Sequence, residues 1–252
     1  MIASFLERLS ESARREIAHA LGRELTVINK AAVGFDPVTD ADRNAEHALR
    51  ALIEEHHPED AIWGEEFGWT REGASRVWSL DPVDGTRALV CGLPSWAVLV
   101  GVVDSGRHVA GMIDLPALDE RLIAVDGRTE RNGAPVRTSG CATLAEARLS
   151  TTDPYLLAED CRAGFERVRA SAPLTRFGLD AMAYARLATG TIDLVMETDL
   201  KRHDYDALIP VVRGAGGHIG DWTGGEEFGA GRIVAAATRA LYDEAVALLA
   251  SA

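Results

Sequence analysis

The sequence predicts an α+β unit running into an α/β unit, the two joined near residue 140 as one compact protein. Three patterns lead there: apolar residues at helical spacing near the start, closely spaced strand-like runs from Trp96, and helix–strand alternation after Ser139. The halves are expected at residues 1–139 and 140–252.

Phe5, Leu9, Ala13, Ile17, Ala20, Leu21 and Leu25 recur at the spacing of one helix face. A second helix follows Thr39, with Ala45, Ala48, Leu49, Leu52 and Ile53 on one side, and Pro58 closes it. Thr39 and Asp42 have the spacing of a capping box. Residues 61–63 and 77–80 read as strands, the first ending at Gly64-Glu65-Glu66 and the second at an Asp pair. Residues 97–103, 109–113 and 122–125 follow at hairpin spacing, with a tight turn at Asn132-Gly133, so this sheet is expected to be antiparallel.

The second half alternates. Strands are expected at 148–151, 174–177, 192–196 and 233–236, and helices at 154–168, 179–188, 204–213 and from Thr238 to 249. Gly190 ends the second of these helices, and Pro210 bends the third because proline removes a ladder hydrogen bond.

Composition narrows the function. At 47% hydrophobic and 26% charged, the chain has material for a substantial core. A net charge of −13 opposes nucleic acid and anionic lipid, which are bound by Lys and Arg. It also leaves an anionic substrate in need of a bound cation. Cys91, Cys141 and Cys161 lack metal-ligand spacing and leave one unpartnered, which fits a reducing cytoplasm. Residues 1–6 do not read as a secretory signal, and no stretch approaches the ~20 apolar residues of a membrane span, so a soluble, cytoplasmic protein is expected.

The chemistry concentrates in Val77-Trp78-Ser79-Leu80-Asp81-Pro82-Val83-Asp84-Gly85-Thr86. A strand-like run ends in two carboxylates, followed at once by Gly and Thr. Hard anionic oxygens suit Mg²⁺. Backbone donors opening the next element suit a phosphate. Glu65 also lies at a strand end, and Asp204 at a helix start. Four converging carboxylates repel one another unless cations lie between them, and paired metals serve in-line displacement at phosphorus.

Plainer readings stand beside these. Asp-Pro is a common turn, Asp204 also reads as a helix cap, Asp42 as a member of the capping box alone, and Glu66 as a solvated charge. His56 and His57 end a helix, where a partly charged imidazole offsets the dipole. His203 adjoins Asp204 without a nucleophilic partner. Gly214-Ala215-Gly216-Gly217 reads as a helix terminus and turn. Cys91 is structural.

Taken together, Pro37-Val38-Thr39-Asp40-Ala41-Asp42, Gly64-Glu65-Glu66, the Asp81–Thr86 motif and Asp204 ahead of Gly216-Gly217 resemble the inositol monophosphatase-like superfamily of Mg²⁺-dependent phosphatases. Gly64-Glu65-Glu66-Phe67-Gly68, Gly92-Leu93-Pro94-Ser95-Trp96, Ile113-Asp114-Leu115-Pro116 and the run from Ala207 to Gly217 look most like its histidinol-phosphate phosphatase branch. The chain departs from the pattern at His203, where the family has Trp or Tyr before the Asp. It departs again at Asp206, which stands as an alternative ligand.

The resemblance implies a layered αβαβα sandwich of the inositol monophosphatase and fructose-1,6-bisphosphatase type. It implies one Mg²⁺ on Glu65, Asp81 and the Val83 carbonyl, a second on Asp81, Asp84 and Asp204, and a third, weaker ion near Glu65. Gly85 and Thr86 are expected to cradle phosphate. The Thr86 hydroxyl with Asp42 is expected to orient and deprotonate a water, or else simply to cap the helix. Glu197 matches a substrate-contacting position, and Asp180 and Asp114 are further acids available to a cationic substrate. The expected reaction is hydrolysis of L-histidinol phosphate in histidine biosynthesis. The alternatives are an inositol-1-phosphate phosphatase, a nucleotide 3′-phosphatase, or a regulatory RNA- or protein-binding member of the fold. A homodimer is also implied.

Overall fold

A computed structural model describes residues 2–30 and 37–250. The eight-stranded sheet has the order β10-β9-β8-β7-β6-β5-β3-β4. Its strands are β3 (Ala61–Gly64), β4 (Gly68–Thr70), β5 (Arg76–Asp84), β6 (Ala97–Asp104), β7 (Arg107–Leu115), β8 (Glu120–Val125), β9 (Arg128–Arg131) and β10 (Ala134–Pro135). A two-stranded ribbon, β1 (Val27–Asn29) with β2 (Pro37–Thr39), precedes it. The second main sheet has the order β12-β11-β13-β15-β14, from β11 (Arg148–Ser150), β12 (Leu174–Arg176), β13 (Leu194–Glu197), β14 (His218–Asp221) and β15 (Ile233–Ala236).

Alternation along the strands creates the layers. On β6, Val98, Val100 and Val102 point to a core shared with helices α1 (Ile2–Leu21) and α2 (Asp40–His56). Ala97 and Leu99 point the other way, into a core with α5 (Ala181–Ala188) and α6 (Arg202–Gly214). A period of two residues must do this when both faces are covered. Val195 of β13 joins that central core, while Leu194 and Met196 turn to a third core against α4 (Glu159–Ser171) and α7 (Arg239–Ala250). The result is helix, sheet, helix, sheet, helix: the αβαβα sandwich. The central core draws on strands β6 to β8 as well as on α5, α6 and the second sheet.

Two glycines bring α6 down onto the large sheet. A Cβ at Gly101 would lie 2.6 Å from the Asp206 carbonyl carbon, and one at Gly111 would run into the Ala207 carbonyl and Pro210. Pro210 itself lies within α6, which continues through it to Gly214.

Several boundaries differ from the sequence reading. The large sheet is antiparallel except that β3 pairs parallel to β5. The first helix stops at Leu21, short of Leu25. Helix α4 begins at Glu159 rather than 154, because the Asp153 carboxylate accepts the Tyr155 N–H at 2.9 Å and holds a turn there. The second sheet is mixed, β11 parallel to β12 and β13, and β15 antiparallel to β13 and β14. Strand β14 carries no apolar alternation to betray it, and a side chain at Gly220 would collide with the Tyr242 hydroxyl. Thr238 caps α7 as expected, its hydroxyl accepting the Leu241 N–H at 3.2 Å. No helix among the described residues is long and apolar enough to cross a membrane.

Candidate active site

Asp81 and Asp84 both belong to β5, which runs further than the sequence implied. Residues three apart on a regular strand face opposite sides. Here the pairing with β6 slips between Asp81 and Asp84, a bulge at Pro82-Val83 that turns both carboxylates to one side. Val83 N–H donates to Asp81 Oδ1 at 3.0 Å and fixes that turn. Asp204 arrives from the first turn of α6. Each of Asp81, Asp84 and Asp204 offers one oxygen, and these lie within 4.8 Å of one another.

Asp204 also serves its helix. Its Oδ2 accepts the Lys201 N–H at 2.5 Å, completing a capping arrangement, while Oδ1 lies 3.5 Å from His203 Nε2. Capping and clustering are therefore served by one side chain.

Glu65 stands beside the cluster in the same cavity wall, near enough that its charge adds to burial in raising the Asp81 pKa. Its loop is held from α2: Glu46 accepts the Glu66 N–H at 2.8 Å and the Phe67 N–H at 3.2 Å, and is itself paired with Arg50 at 2.7 Å. Gly64 is obligatory, since a Cβ there would land on the Glu46 carboxylate. Lys30 reaches in from after β1, its Nζ 2.7 Å from Glu65 and 2.9 Å from Glu66. Glu66 is thus a correction: its side chain is 3% exposed and ion-paired, not solvated. Burial nonetheless raises its pKa above the ordinary carboxylate value.

The Thr86 hydroxyl, on the short helix α3 (Thr86–Val90), lies 3.2 Å from Asp42 Oδ1 and 3.0 Å from the Val83 carbonyl. Its single proton goes to one acceptor at a time. Asp42 Oδ2 meanwhile accepts the Thr39 N–H at 2.9 Å and the Thr39 hydroxyl, so the capping box and the contact to Thr86 use different oxygens. Burial pushes the Asp42 pKa up.

A cavity of about 310 Å³ is lined by Glu65, Asp81, Val83, Asp84, Gly85 and Thr86. A second, of about 170 Å³, extends from Asp84, Asp180 and Asp204 to Glu197 and Tyr184. Asp180 bridges the two. It holds φ 48°, and its carboxylate lies 3.1 Å from where a Gly85 Cβ would be. Gly85 has φ 81°, so glycine is required there on both counts. The Ala181 N–H donates to Asp84 Oδ2 at 2.6 Å.

Two of the proposed contacts are elsewhere. Asp114 is wholly buried, its oxygens taken by the Ser10 hydroxyl at 2.7 Å and by Arg14 at 2.7 and 2.9 Å. Asp206 faces away from the cluster, held by His108 at 2.8 Å and Arg202 at 2.7 Å, so no exchange with Asp204 is set up. Its place one residue beyond Tyr205 puts it on the sheet side of α6. Sequence reasoning missed Lys30, Glu46 and Tyr184. Lys30 and Glu46 carry no motif signal, since their partners are distant in sequence. Tyr184 is indistinguishable from core on a helical face.

Electrostatics explain what this arrangement demands. Burial pushes the Asp81 and Asp84 pKa values well up, and repulsion adds to it: Glu65, Asp84 and Asp204 on Asp81, Asp180 and Asp204 on Asp84. Asp204 is raised too, mainly by burial, with His203 opposing. Burial carries Asp180 up to about 6. A compact set of carboxylate oxygens, costly to charge in isolation, fits a hard divalent ion such as Mg²⁺.

The family model for the inositol monophosphatase family matches residues 2–252. The chain belongs to that family. Members of the inositol monophosphatase family among its relatives are phosphoric monoester hydrolases, and the family is in general Mg²⁺-dependent. The chain is 44% identical over 193 residues to the bifunctional phosphatase IMPL2, chloroplastic, of Arabidopsis thaliana, covering 75% of this chain but 56% of the plant protein, just over half its length. It is 33% identical over 207 residues to the histidinol-phosphatase of Chlorobaculum parvum, covering 81% of this chain and 80% of that one. An inositol monophosphatase structure from Zymomonas mobilis superposes with a TM-score of 0.86 at 36% identity, covering 98% of this chain and 96% of the other.

Proposed function

We propose that this chain hydrolyses a small phosphate monoester in the presence of Mg²⁺, and that the ester is L-histidinol phosphate, released as L-histidinol and inorganic phosphate. One observation carries the choice of substrate: the cavity beside the Asp81–Asp84–Asp204 cluster has two further acids, Asp180 and Glu197, in its wall. A polyol can offer them only neutral hydroxyl donors. An alcohol bearing an ammonium and an imidazole adds a positive charge, which pairs with Asp180 and favours the ionised form of Glu197 once bound. The likeness to named histidinol-phosphatases supports the same reading.

In this reading Glu65, Asp81 and the Val83 carbonyl hold one ion, Asp81, Asp84 and Asp204 a second, and Glu65 neighbours a third and weaker one. Bound ions supply Lewis-acid polarisation of the phosphoryl oxygens and a water acidified towards neutral pH. The backbone N–H groups of Gly85 and Thr86 bind phosphate oxygens. Thr86 Oγ1 orients the attacking water and accepts its proton, while its own proton passes to Asp42 Oδ1; as the bond from phosphorus to the ester oxygen breaks, that oxygen takes a proton from solvent water and leaves as the alcohol. Burial keeps Asp42 a better base than an exposed carboxylate. No histidine base is required. The two sequence halves, residues 1–139 and 140–252, each contribute: Asp42, Glu65 and the Asp81–Thr86 motif from the first, Asp180, Glu197 and Asp204 from the second.

Parallel assays with Mg²⁺ on L-histidinol phosphate, inositol-1-phosphate and a nucleoside 3′-phosphate test this directly. The expected order places L-histidinol phosphate first by kcat/KM, with Asp84→Asn inactive on all three. Preference for inositol-1-phosphate would replace the substrate, and full activity of the Asp84→Asn variant would end the mechanism.

A further inference from the structure

Buried polar groups nearly always have partners, so an exception on a residue that lines a cavity points to what enters it. Tyr184 is such an exception. It lies on α5, is 2% exposed, and its hydroxyl has no hydrogen-bond partner among the described residues. It lines the same cavity as Glu197 and Asp180. Two other buried side-chain atoms lack partners among the described residues, Trp63 Nε1 and His203 Nδ1, but neither residue lines this cavity.

The surroundings of that hydroxyl are unequal. Leu156, Leu157, Leu200 and Leu208 give the cavity apolar lining, and Glu197 gives it an acceptor. Glu197 is anchored by the Thr152 N–H at 2.7 Å and by the hydroxyls of Thr152 at 2.9 Å and Thr151 at 3.2 Å. An occupant must therefore be flat or compact enough to lie along leucines, must offer a donor to Glu197, and must present an acceptor to a phenol proton. A neutral imidazole has this combination: an apolar ring face, one N–H and one bare nitrogen.

We propose that Tyr184 is a specificity-determining residue, its hydroxyl donating to the unprotonated ring nitrogen of an imidazole-bearing alcohol while Glu197 accepts from the ring N–H. This rests on the phosphate monoesterase reading above and names the group that reads the alcohol.

The test is Tyr184→Phe, which removes one oxygen and keeps the ring. Steady-state kinetics compare L-histidinol phosphate with phenyl phosphate, whose ring bears no nitrogen, and O-phosphoethanolamine, whose amine bears no ring. The variant should raise KM for L-histidinol phosphate about tenfold with kcat little altered, lowering its kcat/KM about tenfold relative to both other esters, the value of one hydrogen bond to a neutral partner. Because the hydroxyl has no partner among the described residues, the ligand-free variant should melt no lower than wild type. An equal loss on all three esters, or a lower melting temperature without ligand, would show a structural role and overturn the proposal. Calorimetry with L-histidinol, Mg²⁺ and phosphate separates this from failure of the function. If wild type binds L-histidinol and the variant binds it about tenfold more weakly, Tyr184 stands even where turnover favours another ester. Equal binding by both removes Tyr184 alone, and no binding by wild type removes both readings.

Discussion

Lys30 Nζ lies 2.7 Å from Glu65 Oε1, so a cation of the protein itself meets the carboxylate cluster at its open edge. Burial opposes the charge on this lysine, but the hydrogen bonds and attraction from Glu65 and Glu66 outweigh it and raise its pKa. The same side chain also neutralises the covered Glu66.

Lys30→Met should therefore expose repulsion that the wild type conceals. Without divalent ions the variant is expected to lose about 1–2 kcal/mol of unfolding free energy, a modest value because the lysine side chain is 27% exposed. Added Mg²⁺ should stabilise the variant more than it stabilises wild type. Urea melts in EDTA and in Mg²⁺ measure both effects, and a variant as stable as wild type in EDTA would refute the account.

Asp114 supplies the opposite case, a carboxylate whose contacts lie within the fold and not at the cluster. It ties the first helix to strand β7 through Ser10 and Arg14. Asp114→Ala leaves the Arg14 guanidinium without its main partner, which should destabilise the protein by about 3 kcal/mol. The kcat of the folded fraction should match wild type. A stable variant with a selective loss of kcat would return Asp114 to the site.

These two residues show what the chain discloses and what it withholds. That Asp81 and Asp84, and Thr86 and Asp42, lie together was legible because local order carries it: a strand, two acids, a glycine and a capping box within short stretches. Layering was legible from alternation such as Val98, Val100 and Val102 against Ala97 and Leu99. Lys30 and Glu46 were not, because their meaning lies in partners 35 and 20 residues away. Asp114 was misplaced because an acid flanked by apolar residues reads the same whether it faces a pocket or an arginine. Strand β14 escaped because glycine and polar residues erased its period.

The position of Asp204 depends on residues that never touch it. Helix α6 approaches β6 so closely that a Cβ at Gly101 would come within 2.7 Å of Asp206 Cβ. Gly101→Ala must push the helix outward and carry Asp204 away from Asp81 and Asp84. Overpacking of this kind is expected to lower stability by about 1–3 kcal/mol. Mg²⁺ affinity should fall along with it, by calorimetry on the folded variant. Retained affinity alongside lost stability would show that Asp204 is placed by its own helix cap instead.

Glu197 sets a pH dependence that a single variant isolates. Burial raises its pKa from an ordinary 4.5 to about 8 in the folded protein, against the hydrogen bonds from Thr152 and Thr151. A raised carboxyl favours the protonated fold, so this residue's contribution is complete below about pH 4.5 and is lost progressively as pH climbs through 8. Glutamine has no such loss, and the Thr151 hydroxyl can turn to accept from the new amide. Without ligand, wild type and Glu197→Gln should differ by less than about 1 kcal/mol at pH 5. The variant should become the more stable of the two at pH 9, by a few kcal/mol at most. Titrating groups that do not interact with Glu197 are common to both proteins and cancel, so urea melts at the two pH values read Glu197 together with its repulsion of Asp180. A stability difference that does not change between them would mean that the carboxyl titrates in the fold as it does in water, and that the cavity around it is wetter than its walls imply.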